Sequence, residues 1–151
     1  MKTQYIAHFA LCVAAAVGLP AAACVEGDIR GEAVTLEREV GATPAGETTS
    51  MNVLGMGYFH AAEVVKTGGD SDRTWVTLEL DGEPMISTSF ATLKNKWNQL
   101  ASRYMTVDVR RNGAADTMVI GYAPALRFRS LAVLRAEVQD AALQSLRMRA
   151  V

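Results

Sequence analysis

Histidine, cysteine and tryptophan are scarce in this sequence of 151 residues, with two of each. A protein metal centre draws its ligands mainly from histidine, cysteine and clustered carboxylates. His8 and Cys12 fall in an apolar N-terminal run, which leaves His60 and Cys24 for the rest of the chain. No metal site is expected, and no cofactor. A strong charge of either sign is also missing: the formal net charge is −1, which argues against a nucleic-acid partner. No long hydrophobic run follows residue 23, so no segment after it reaches the ~18–20 apolar residues that span a bilayer.

What is present begins with Lys2, an apolar stretch from Ile6 to Val17, the helix-ending Gly18 and Pro20, and small residues at Ala21 and Ala23. This is the pattern of a cleaved secretory signal peptide over residues 1–23, and it predicts export. Cys24 then stands at the cleavage point. The site resembles a bacterial lipobox, with Ala22, Ala23 and Cys24 in place and Ala21 where that pattern has a larger aliphatic residue. The resemblance implies a lipid anchor on Cys24. Because Val25 is not the aspartate that retains lipoproteins at the inner membrane, it also implies the outer membrane. Ordinary signal cleavage after Ala23, which leaves a periplasmic protein with a free thiol, fits the same residues.

Residues 24–50 are rich in acids and include the linker GATPAGETTS, which predicts an acidic flexible arm. Residues 51–125 read as the body. TWVTLEL alternates, with Val76, Leu78 and Leu80 on one face. Phe90, Leu93, Trp97, Leu100 and Tyr104 form a helical stripe behind the capping candidates Thr88 and Ser89. MTVDVRR and DTMVIGY flank RNGAA as a hairpin. In residues 126–151, Leu131, Leu134, Val138 and Ala142 fall at helical spacing, which predicts a basic C-terminal helix. The fold class expected is α+β: a small antiparallel or mixed sheet with one packed helix and a C-terminal helix.

Asp81, Gly82 and Pro84, then Phe90 and Leu93, then Val109, Arg111 and Gly113 resemble, in order and spacing, the second half of a bacterial PDZ domain. The likeness covers residues 78–113, about a quarter of the chain. Upstream, Trp75 and Val76 stand where that family has Gly-Asp. The resemblance implies a degenerate PDZ-like domain that binds a peptide by strand addition. Leu54, Gly55, Met56, Gly57 and Tyr58 would then form its carboxylate loop and groove.

Catalytic patterns are weak. Lys66-Thr67-Gly68 matches the K-T-G box of penicillin-binding enzymes, but no S-x-x-K accompanies it. His60 has no visible triad partner. Arg127, Arg129, Arg135, Arg147 and Arg149 are candidates for contact with a membrane or an acidic partner. The function expected is that of a non-enzymatic exported envelope protein, a small adaptor that binds an envelope protein partner. The alternative is a lipid-anchored structural subunit of an envelope or secretion assembly that docks through its C-terminal helix.

Overall fold

The computed structural model describes residues 23–24, 34–69, 73–100, 102–139 and 142–151. Apart from Ala23 and Cys24, the signal peptide and the start of the arm lie outside the described residues. In chain order the strands are β1 (Ala23–Cys24), β2 (Leu36–Val40), β3 (Thr48–Leu54), β4 (Gly57–Thr67), β5 (Thr74–Leu80) and β6 (Glu83–Ser89). The single helix among the described residues, α1 (Phe90–Leu100), follows. The remaining strands are β7 (Met105–Asn112), β8 (Ala115–Phe128), β9 (Leu131–Val138) and β10 (Ser145–Ala150).

The strands form two five-stranded sheets, β1-β3-β9-β5-β6 and β2-β10-β4-β8-β7. All pairings are antiparallel except that of β1 with β3, which is parallel. The molecule is therefore a mostly β sandwich, and the α+β expectation is corrected. The predicted C-terminal helix does not exist: residues 126–151 supply the end of β8, β9 and β10. Along β9, Ala132, Leu134, Ala136 and Val138 are buried at a period of two while Arg135 and Glu137 point outward. Along β10, Leu146, Met148 and Ala150 are buried between Arg147 and Arg149. That alternation buries one face of each strand against the other sheet, which a helix here could not do. The arm expected over residues 24–50 contributes β2 and the first residues of β3 to the two sheets.

One apolar core joins the sheets. Met51, Val76, Leu78 and Leu134 come from the first, and Val64, Met118, Ile120, Leu146 and Met148 from the second. Arg38 also crosses between them, donating from β2 to the Ser50 carbonyl on β3 at 2.5 Å. Helix α1 links an edge strand of each sheet, β6 and β7, and drives Phe90 and Leu93 into the core, both 0% exposed. Its first turn is capped by Ser89, whose Oγ accepts from Thr92 N at 3.1 Å.

The feature that organises the molecule is a bent ribbon. β3 opposes β9 in the first sheet, and β4 opposes β8 in the second. The pairing keeps the same offset on both sides of the bend, with Leu54 opposite Leu131 and Gly57 opposite Phe128. Residues 48–59 and 126–137 are thus one antiparallel pair that folds over a corner and passes from one sheet to the other. Gly55 turns the corner at φ +115°, and its N–H donates to Ser130 O at 2.8 Å. That backbone region suits glycine alone, so Gly55→Ala is expected to cost about 1–3 kcal/mol. Urea unfolding read by circular dichroism measures it; an unchanged midpoint would mean the corner is not held in this conformation.

Candidate functional site

The corner of the ribbon carries the most unusual surface among the described residues. Outward from β3 and β4 stand Leu54, 52% exposed, Met56, 67%, and Tyr58, 63%. The facing strand sets Arg127 directly opposite Tyr58 and Leu131 opposite Leu54. Arg129, also exposed, lies in the bend between Phe128 and Leu131, as Met56 lies in the bend between Leu54 and Gly57. Directly opposed residues share a face of a ribbon, so three large apolar side chains and two arginines form a single strip. Neither Arg127 nor Arg129 pairs with a carboxylate among the described residues. Beneath the strip, Phe59 and Phe128 face inward and are 4% exposed each. Phe59 also meets the Tyr122 ring edge-on at 6.3 Å.

Asp81 holds the corner in place from outside the ribbon. The β5–β6 turn is Asp81-Gly82 with both φ angles positive, +55° and +88°, which is the two-residue hairpin geometry that Asp-Gly favours. From that turn the Asp81 carboxylate accepts hydrogen bonds from Arg129 N at 2.8 Å, Ser130 N at 2.7 Å, Ser130 Oγ at 2.8 Å and Leu131 N at 3.1 Å. Its own N–H donates to Leu131 O at 2.7 Å. The Ser130 hydroxyl, with the three amides, pulls its pKa down to about 2, against a desolvation that works the other way. A carboxyl group with a depressed folded-state pKa stabilises the fold above its unfolded pKa. That contribution is lost as pH falls from about 4 toward 2. Asp81→Asn is accordingly expected to lower the unfolding temperature at pH 7 and to differ little from the parent near pH 2. Thermal melts at the two pH values test this; a difference that persists undiminished in acid would contradict it.

The sequence-derived candidates are distributed as follows. Leu54, Gly55, Met56, Gly57 and Tyr58 lie together at the corner. Gly55 N–H is already bonded to Ser130, so it is not free to receive a ligand carboxylate. Arg127 and Arg129 join them there. Arg135, Arg147 and Arg149 do not. Arg135 lies 3.2 Å from Glu79, and Arg149 lies 3.3 Å from Glu37 and 3.7 Å from Glu63. Arg147 is 4.0 Å from each of the same two glutamates. These three belong to ion-pair ladders across neighbouring strands, the kind of exposed pairing that contributes little to stability.

His60 is exposed beside the corner, where the β4–β8 register shifts, and its N–H donates to Val151 O at 2.7 Å. Lys66 is buried, and Gly68 and Gly69 follow it in a positive-φ turn. Cys24 lies on β1 opposite Asn52 of β3. A cleft of about 390 Å³ between α1 and β7 is lined by Leu93, Lys94, Val107, Asp108 and Val109, and it does not include the corner residues.

Asp81 is the participant that sequence reasoning misses, because D-G announces a turn but not the loop 48 residues away that it clasps. No group of three or more metal-ligating side chains occurs among the described residues, and no described helix is long and apolar enough to cross a membrane. No family model matches the chain, and a search of curated proteins returns no significant match.

Proposed function

We propose that this chain is a non-enzymatic exported protein of the cell envelope, tethered through Cys24, and that it works as a binding module whose contact surface is the ribbon corner. The observation that carries the reading is the strip itself. Leu54, Met56 and Tyr58 are at least half exposed in a row, facing Arg127 and Arg129 that no described carboxylate neutralises. Large apolar side chains gathered on a soluble surface are costly to leave in water and mark sites of contact. The strip is also held rigidly, by Gly55 to Ser130 across the ribbon and by Asp81 from the side, so little ordering cost remains to be met on binding.

The alternative of docking through a C-terminal helix has lost its element. The peptide-groove version of an adaptor needs free loop amides, and at Gly55 the amide is taken. What remains of the adaptor reading is a raised corner rather than a groove.

A photoreactive residue placed at position 56 in growing cells tests this, with one at position 77, on the outer face of β5, as reference. Crosslinks that form from 56 and not from 77 are the expected result. Equal labelling from both positions would remove the corner as a contact surface.

A further inference from the structure

The corner's place in the fold names its partner. β1 runs parallel to β3 with Cys24 opposite Asn52, two residues before the end of β3 at the corner. At about 3.3 Å per residue, Leu54, the last residue of β3 before the corner, lies about 7 Å further along than Cys24. The residue expected to bear the lipid and the strip proposed as the contact surface therefore occupy the same end of the first sheet.

The chemistry of the strip agrees. Met56 and Leu54 offer flexible apolar tips, and Tyr58 offers the apolar body with a polar end that suits a membrane–water interface. Arg127 on the facing strand and Arg129 in the adjoining bend are exposed and carry the charge that pairs with lipid phosphates. The neighbouring Asp81 keeps its negative charge, but its oxygens are taken by the amides and hydroxyl of residues 129–131 and it pairs with neither arginine, so the two cations outnumber it at the corner.

Resting on the reading that the corner is the contact surface, we infer that it docks on an anionic phospholipid surface. Met56 and Tyr58 enter the headgroup layer while Arg127 and Arg129 lie on the phosphates. Anchor and corner together would hold the sandwich in one orientation on the membrane.

Purified exported chain carrying Cys24→Ser, which removes any acyl contribution, is the reagent. It is sedimented with phosphatidylglycerol–phosphatidylethanolamine vesicles, and with phosphatidylcholine vesicles for comparison, up to millimolar lipid. Binding to the anionic vesicles that weakens with salt is expected. Arg127→Gln with Arg129→Gln should weaken it about 30-fold, the worth of two interfacial charges. Met56→Asp with Tyr58→Asp should abolish it, and Arg135→Gln should leave it unchanged. Circular dichroism confirms that each variant is folded.

No binding of the parent chain, or binding indifferent to the corner substitutions, overturns the inference. If vesicles do not bind but the probe at position 56 captures a protein in cells, the bilayer is excluded and the contact surface stands. If neither partner is found, both readings fall.

Discussion

Asp116→Ala is expected to destabilise the protein by about 3–5 kcal/mol, the usual consequence of removing one partner from a buried ion pair. Lys66 on β4 and Asp116 on β8 are directly opposed, and their side chains turn into the sandwich. The Lys66 side chain is 1% exposed. Its ammonium lies 3.9 Å from Asp116 Oδ2, donates to Gly68 O at 3.3 Å and sits 5.4 Å from the centre of the Phe90 ring. From the solvent side Arg111 grips the same carboxylate with two hydrogen bonds, Nε to Oδ1 at 2.8 Å and a terminal nitrogen to Oδ2 at 3.1 Å. The aspartate thus stands between a cation that water cannot reach and one that it can. Truncation to alanine removes a hydrogen-bonded carboxylate from beside the buried Lys66 ammonium and from the grip of Arg111.

The two partners are not equivalent. Lys66→Met keeps the volume, removes the buried charge and leaves Asp116 with Arg111, so it should cost less than Asp116→Ala. Hydrogen bonding from Arg111, ahead of its charge and that of Lys66, holds the Asp116 pKa below the ordinary carboxylate range. Its contribution is therefore full at neutral pH and disappears as the group is protonated in acid. Urea unfolding of the parent and both variants at pH 7 measures the asymmetry. A loss below 1 kcal/mol for Asp116→Ala, or a larger one for Lys66→Met, would contradict it.

Phe90→Ala should be as damaging, again about 3–5 kcal/mol for a large aromatic removed from a filled core. Phe90 is 0% exposed and begins α1, the helix that connects the edges of the two sheets. Its ring also faces the Lys66 ammonium, so the cavity would open beside a buried charge. The expected signature is a lower urea midpoint together with faster amide exchange along residues 90–100 and in β7. Unchanged exchange in that helix would show that Phe90 is not what seats it.

The parts of this fold that could be read from the sequence are those where local pattern and tertiary environment agree. In β5, Val76, Leu78 and Leu80 alternate with Trp75, Thr77 and Glu79, and the first set is the buried one. The β7–β8 hairpin turns at Gly113, φ +63°, and α1 starts behind its serine cap. The C-terminal segment from residue 126 misleads because alanine fills two of the five buried positions of β9, Ala132 and Ala136. Alanine has the highest helix propensity and marks a two-residue period only faintly. Leu131, Leu134 and Val138 satisfy a helical spacing as well. What decides is remote, since β9 lies between β3 and β5 and its conformation is set by strands far away in sequence.

The corner was half legible. Residues 54–58 are singled out only through the resemblance that makes them a groove, and the arginines at 127 and 129 only through their charge. Nothing local says that the two segments face one another. That follows from a register carried through a bend, and from an aspartate at position 81 that fastens it.

The account rests on segments about 70 residues apart in sequence forming one surface, and a cross-strand disulfide tests that most directly. In the Cys24→Ser background, Tyr58→Cys with Arg127→Cys places the two thiols directly opposite, at the separation a disulfide bridges. Mild oxidation should close it within one chain, seen as a faster-migrating band that reductant reverses. Tyr58→Cys with Arg149→Cys should not close, because Arg149 lies opposite Glu63 further along β4. Failure of the first pair to crosslink, or equal crosslinking by the second, would mean that β4 and β8 do not pair in this register and that the strip does not exist.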